Sequence, residues 1–372
     1  MTSIQRLSAS LTSLDVALAA LLRGLQPVGT IELPLADALG CVTADMPPLK
    51  AFPAHEIAVA DGFALRARDL VGASSYTPLP LTNAPLWVEA GDGIPDGCDC
   101  VIDADAVGQT GPLVQVLAEA IPGQGVRHAG GDIADGSLIT PGACLRPLDL
   151  LVLQSAGLEK IRVRHPRLRI VNIPAAGAAR TARLVLDSAR GAGAHVTFAE
   201  AVSRGTASIV ELLDATACDL LITIGGSGVG RTDAAVTALM QCGEVLAHGI
   251  ALQPGHTAAV GRIGDTPVIA LPGGPDRALG AWWTLAVPVL DRLSGLLQRR
   301  RAVTLPLARK IASSVGIAEI ALLARDFDAW MPLAVGELPL QAIARADAWL
   351  VIPGDSEGFA AGSPVDAYML RQ

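Results

Sequence analysis

Apolar and polar positions along this chain fall into successive patterns, each with its own period. Thr12-Ser13-Leu14-Asp15 has the order of a capping box, and the apolar residues Val16, Leu18, Ala19, Leu21 and Leu22 that follow predict a helix ending at Gly24. A strand-like Gly29–Leu33 and a short helical Leu35–Leu39 come next, and prolines punctuate the chain from Pro47 to Pro53. Between Ala54 and Leu145 short apolar runs are separated by Gly, Pro and Asp turns. Strands are predicted at Gly62–Leu65, Leu86–Ala90, Cys100–Ala104, Leu113–Val116 and Ser137–Ile139, giving a β-rich module. Pro147–Ala156 reads as a helix closed by Gly157.

A different alternation starts at Leu168. Strand Leu168–Ile173, helix Thr181–Gly191, strand Val196–Ala199, helix Thr206–Ala217, strand Leu220–Ile224, helix Ala234–Gln241 and strand Val268–Leu271 succeed one another. That order predicts an α/β domain on a mostly parallel sheet, whose ligands sit outside the carboxyl ends of the strands. After Arg299-Arg300-Arg301 the pattern returns to short strands between glycines, predicting a small C-terminal β domain. The domain organisation expected is therefore 1–53 with 145–167 as a helical and linker domain, 54–144 as the β-rich module, 168–300 as the α/β domain and 301–372 as the C-terminal β domain.

Composition narrows the function. The 372 residues carry a net charge of −8 and only 3% aromatics, and the densest basic run is Arg299-Arg300-Arg301, which argues against a nucleic-acid surface. The apolar stretch Ala278–Leu290 contains Pro288 and is too short for a bilayer. Met1–Ser13 has no basic segment leading into an apolar core. A cytoplasmic protein without membrane contact is expected. The six cysteines show no metal-binding spacing and read as small buried hydrophobes of a reducing compartment.

The most informative stretch is Asp219–Asp233, where a β-branched run ends in Gly225-Gly226-Ser227-Gly228-Val229-Gly230 before a helix. Strand, glycine loop and helix start together present free N–H groups to an anion. The loop lacks the Gly-Lys-Ser/Thr ending of a triphosphate-binding loop. Asp233 either favours the helix dipole or holds a divalent cation beside a bound phosphate. Asp61 and Asp132 precede or follow glycines and also suit turns.

Five motifs in order resemble the molybdopterin molybdotransferase family, that is, the MoeA proteins and the E-domain of gephyrin. They are Ala60-Asp61-Gly62-Phe63-Ala64, Gly91–Asp99, Val126–Ile133, Gly225–Asp233 and Leu271-Pro272-Gly273-Gly274-Pro275. The resemblance covers nearly the whole chain. It implies a multidomain α/β plus β fold with a three-layer, MogA-like α/β domain and a β-barrel-like C-terminal domain. It also implies a homodimer acting in molybdenum cofactor biosynthesis, inserting molybdate into adenylylated molybdopterin with release of AMP. The alternative it leaves is a catalytically silent homologue that carries cofactor or docks on a molybdoenzyme.

By this resemblance Asp61, Asp132 and Asp233 would be catalytic, with Asp61 and Asp233 holding Mg²⁺. Cofactor binding would fall to Gly225, Gly226, Ser227, Gly228, Gly230, Pro254, Gly255, His256, Pro272, Gly273, Gly274 and Pro275. The chain departs from the family at several of these walls. Ile173-Pro174-Ala175-Ala176-Gly177-Ala178 replaces a Ser/Thr-Gly-Asp-Glu-Leu loop, and Gln253-Pro254-Gly255-His256-Thr257 replaces Lys-Pro-Gly-Lys-Pro. Ala90, Gly228 and Gly274 stand for a Thr, a Ser and an Asn. The lost lysines direct attention to Arg231, Arg262 and Arg277, the arginines nearest the anion loops in sequence.

Overall fold

The computed structural model describes residues 5, 7, 10–110, 113–136, 139–175, 178–297 and 302–371. Ser137 of an expected strand, Ala176 and Gly177 of the apolar loop, and Arg299-Arg300-Arg301 lie outside the described residues. The chain divides into two compact units, one comprising Met1–Asp45, Pro141–Arg146 and Ile161–Gln372, the other Met46–Thr140 and Pro147–Lys160.

In the first unit, β1 (Thr12–Ser13) leads into helix α1 (Leu14–Leu22), whose first turn is capped by Ser13 Oγ accepting from Val16 N. The α/β layer then follows as β2 (Arg167–Asn172), α2 (Ala178–Gly191), β3 (His195–Glu200), α3 (Thr206–Val210), β4 (Leu220–Ile224), α4 (Ala235–Cys242), β5 (Glu244–His248), β6 (Ile250–Gln253), β7 (Ala259–Ile263), β8 (Thr266–Leu271) and α5 (Pro275–Ala281). Six of these strands make one sheet in the order β3-β2-β4-β8-β7-β5, parallel from β3 to β8 and antiparallel beyond.

The sequence dictates this locally. Every residue of β4, Leu-Leu-Ile-Thr-Ile, is buried, as a parallel strand covered on both faces requires. On α2 the buried Ala178, Ala182, Val185 and Ala189 recur at helical spacing, and the opposite face carries an exposed Arg183–Asp187 pair at 2.7 Å. Helix α3 is shorter than its apolar pattern predicts. Asp214 Oδ1 accepts from Thr216 N at 2.9 Å and Thr216 Oγ1 at 2.6 Å, an Asx turn that diverts the chain from the helix. Strands β5, β6 and β7 were not expected. Gly261 admits the backbone of β5, since a Cβ there would lie 2.2 Å from Glu244 O.

Further strands are β9 (Ala302–Pro306), β10 (Ala318–Asp326), β11 (Ala329–Val335), β12 (Ala348–Ile352) and β13 (Pro364–Met369). With β1 and β6 they form a second sheet, in the order β1-β6-β10-β12-β13-β9, and β11 pairs with β10. This corrects the barrel-like expectation, because no barrel closes among the described residues; the sheet instead extends through β6 into the α/β part. Trp330, fully buried, anchors a core with Leu323, Leu350 and Ile352.

The second unit is built from small sheets. Gly62–Leu65 lies between Leu86–Val88 and Cys100–Ile102, while Leu113–Val116 pairs with Leu79–Pro80 and Val107–Thr110. Among the described residues no helix is long and apolar enough to cross a membrane. All six cysteines are free thiols. Burial pushes the Cys41 thiol up to about 12 and those of Cys100 and Cys218 up to about 11, consistent with packing residues rather than nucleophiles.

Candidate functional site

The glycine loop stands where the sequence predicted, at the carboxyl end of β4. Gly225 and Gly226 adopt φ of +88° and +68°, which β-branched or bulky residues do not tolerate. Gly225 N donates to Leu271 O at 2.9 Å, and a Cβ on Gly273 would lie 3.5 Å from Gly225 Cα. The loop and the Leu271-Pro272-Gly273-Gly274-Pro275 turn are therefore neighbours, as the motifs implied.

The chain itself occupies several hydrogen-bonding groups of this loop, namely the Gly230 N–H and the carbonyls of Gly226, Ser227 and Gly228. Asp233 Oδ2 accepts from Gly230 N at 2.9 Å, and its Oδ1 pairs with Arg204 Nη2 at 2.5 Å. Arg204 Nη1 also donates to Pro174 O at 3.0 Å, in the loop that lacks the Asp-Glu pair. Two N–H groups at the start of α4, of Val236 and Thr237, donate to Gln5 Oε1 at 2.8 and 3.0 Å. Gln5 Nε2 in turn donates to Gly226 O and Gly228 O at 3.0 and 2.8 Å. His248 Nε2 lies 2.8 Å from Ser227 O, while Ser227 Oγ and Arg204 Nε are buried with no partner.

Asp233 as an Mg²⁺ ligand does not fit this arrangement. The guanidinium of Arg204 supplies the positive charge that a cation would bring, and the second carboxylate oxygen closes the loop. Nor does Asp233 cap α4, whose free N–H groups belong to Gln5. Among the described residues no group of three or more His, Cys, Asp or Glu side chains is placed to hold a metal.

The second anion loop is different. Gln253-Pro254-Gly255-His256 follows β6 through a cis Gln253–Pro254 bond. It packs closely on α5, where a Cβ on Gly280 would lie 2.2 Å from Pro254 O and one on Gly255 3.1 Å from Arg277 O. Beside it opens a cavity of about 630 Å³ lined by Arg180, Gln253, His256, Asp276, Arg277 and Glu337, among others. The expected site residues Pro254, Gly255, His256 and Pro275 line it as well.

The three arginines singled out in sequence separate cleanly. Arg262 Nη2 donates to the carbonyls of Ala20, Leu21 and Arg23, capping the end of α1, and so has a structural role. Arg231 is exposed and does not line the cavity. Arg277 lines it, joined by Arg180, which sequence reasoning missed.

Asp61 and Asp132 belong to the second unit. Asp61 Oδ1 accepts from Ala90 N at 2.8 Å, and Asp132 pairs with Arg127 at 2.9 Å, both in exposed positions. Arg204, Gln5 and Glu337 were also missed. Arg204 alone left a signal, since it follows the carboxyl end of β3, where α/β sheets place site residues.

Two family models match the chain: the MoeA N-terminal region (domain I and II) over residues 12–157, and a probable molybdopterin binding domain over residues 175–292. Molybdopterin molybdenumtransferase 2 of Mycobacterium tuberculosis (strain ATCC 25618 / H37Rv) is 27% identical over 391 residues, covering 91% of this chain and 95% of that one. Molybdopterin molybdenumtransferase of Haemophilus influenzae (strain ATCC 51907 / DSM 11121 / KW20 / Rd) is 25% identical over 311 residues, covering 74% and 76%. In fold, the chain is similar to the molybdopterin biosynthesis MoeA protein of Pyrococcus horikoshii OT3, with a TM-score of 0.65 and 22% identity over 97% of this chain and 100% of that one.

Proposed function

Because this chain belongs to the MoeA family of molybdenum cofactor biosynthesis, we propose that it is a molybdopterin molybdenumtransferase, taking adenylylated molybdopterin and molybdate and releasing AMP. The observation that carries this reading is the cavity at Gln253–His256 and Pro275–Arg277. It sits where the resemblance puts the reacting oxyanions, and it retains two guanidiniums, of Arg180 and Arg277, in place of the absent lysines.

The chemistry asks for little more than positioning and charge. Water adds to one phosphorus as the pyrophosphate P–O bond breaks, AMP leaves with its phosphate and molybdopterin keeps its own. The two dithiolene sulfurs give up their protons and replace two oxygens of molybdate, which leave as water with no change in the oxidation state of the metal. Arginines stabilise the negative charge that builds on the phosphate oxygens, each removal costing about 3 kcal/mol in a site of this type. Asp61 and Asp132 enter the reading as the acidic residues of the reaction, and a homodimer as its assembly. Mg²⁺ at Asp233 does not, because Arg204 neutralises that carboxylate.

The test is AMP release from adenylylated molybdopterin with and without molybdate. Molybdate-dependent release, lost in Arg277→Ala and reduced in Asp61→Asn, supports the transferase. Binding with no release under any metal condition overturns it in favour of a carrier that hands cofactor to a molybdoenzyme.

A further inference from the structure

The cavity carries opposite charges that do not meet. Arg180 and Arg277 line it together with Asp276 and Glu337, yet none of these four side chains makes a hydrogen bond or ion pair with a described residue. All are fixed at their backbone. Arg180 stands in the first turn of α2, and Asp276 and Arg277 in the first turn of α5. Glu337 follows β11 through Gly336, which turns the chain at φ +71° and whose N–H donates to Ile320 O at 3.0 Å.

A site for a bare inorganic anion would present donors and positive charge alone, since a carboxylate repels an oxyanion. This one needs a ligand with two chemically different ends. Guanidiniums match phosphate oxygens with paired N–H donors, and a carboxylate matches two adjacent N–H donors on a ring edge in the same forked way. The volume, about 630 Å³, is that of a small-molecule site.

We propose that Arg180 and Arg277 hold the phosphate of the ligand while Glu337 and Asp276 accept from a 2-aminopyrimidin-4-one edge, the donor pair carried by pterins and by guanine. The ligand class rests on the function proposed above, which favours the pterin; the geometry of the four side chains does not. Glu337 is then a specificity residue, because adenine offers no such edge.

Titration calorimetry on the full chain separates the possibilities, with neopterin monophosphate, neopterin, GMP and AMP as probes. We expect neopterin monophosphate to bind and Glu337→Gln to weaken it by about tenfold or more, without changing AMP. Arg180→Ala with Arg277→Ala should weaken all three phosphate esters by a similar factor and leave unphosphorylated neopterin within about twofold. All these side chains are at least partly solvent-facing, so the variants should fold, which melting curves would check. Unchanged affinity for neopterin monophosphate in both variants, or no binding of it at all, overturns the proposal. GMP binding more tightly than neopterin monophosphate overturns the pterin assignment. Failure of molybdate-dependent AMP release with these responses intact refutes the transferase reading and leaves the two-ended site standing.

Discussion

The glycine loop after β4 and the cavity beside the Gln253–His256 turn are two anion-type loops of one unit, and the chain treats them in opposite ways. At the first, Asp233 pairs with Arg204 and takes the Gly230 N–H, while Gln5 takes the first N–H groups of α4 and the carbonyls of Gly226 and Gly228. At the second, Arg180, Arg277, Asp276 and Glu337 line open space without partners among the described residues. A strand–glycine–helix backbone is a capacity for anions, and the side chains decide whether it is left open. The apolar replacement of the Asp-Glu loop belongs to the same pattern: Arg204 reaches Pro174 O there instead of a metal.

The comparison can be broken by undoing the closed loop. Arg204→Ala should have the largest effect on stability, about 3 kcal/mol, because it strands the Asp233 carboxylate, only 15% exposed, without its cation. A melting curve measures this, and Arg204→Ala with Asp233→Asn should recover part of the loss. Gln5→Ala should cost about 2 kcal/mol by orphaning the α4 N–H groups and two loop carbonyls. Gln5→Glu should fail to rescue it, as a second acceptor oxygen would then face Gly226 O and Gly228 O.

A smaller effect sharpens the contrast. Gly228→Ala would bring a Cβ to 2.6 Å from Asp233 Oδ2 and should cost about 1 kcal/mol. The cost should shrink in an Asp233→Ala background, a coupling that a double-mutant cycle in urea reads directly. At the cavity the reverse holds. Arg180→Ala and Arg277→Ala should each change stability by less than about 0.5 kcal/mol while weakening ligand binding. A large loss of stability there would show that these arginines are structural after all.

How far the sequence could be read follows from the range of the interactions involved. The alternation from β2 to β8 was legible because buried β-branched runs and helix-spaced alanines report local periodicity. Strands β5 and β7 were not, because their pairing relies on alanine and glycine, which carry little strand signal but allow backbones to close in. At the site, the loops and Arg277 were found through motif spacing. Gln5 was invisible, acting on Val236 from 231 positions away, and so was Glu337, which no motif marks. The role of Asp233 was read from its place beside a helix start, whereas a guanidinium 29 residues earlier determines it.

Strand β6 joins the two sheets' territories, pairing with β1 on one edge and, at Leu252–Ala318 and Gln253–Glu319, with β10 on the other. Gln253 and Glu337 both line the cavity and hang from a single continuous ladder, Gln253 at the end of β6 and Glu337 just after β11, which pairs with β10. Hydrogen-bonded strands link these two walls directly. Ligand capture should thus proceed as a single concentration-dependent phase without a slow closing step, and the Ile250–Gln253 amides should be among the last in the unit to exchange their hydrogens with solvent.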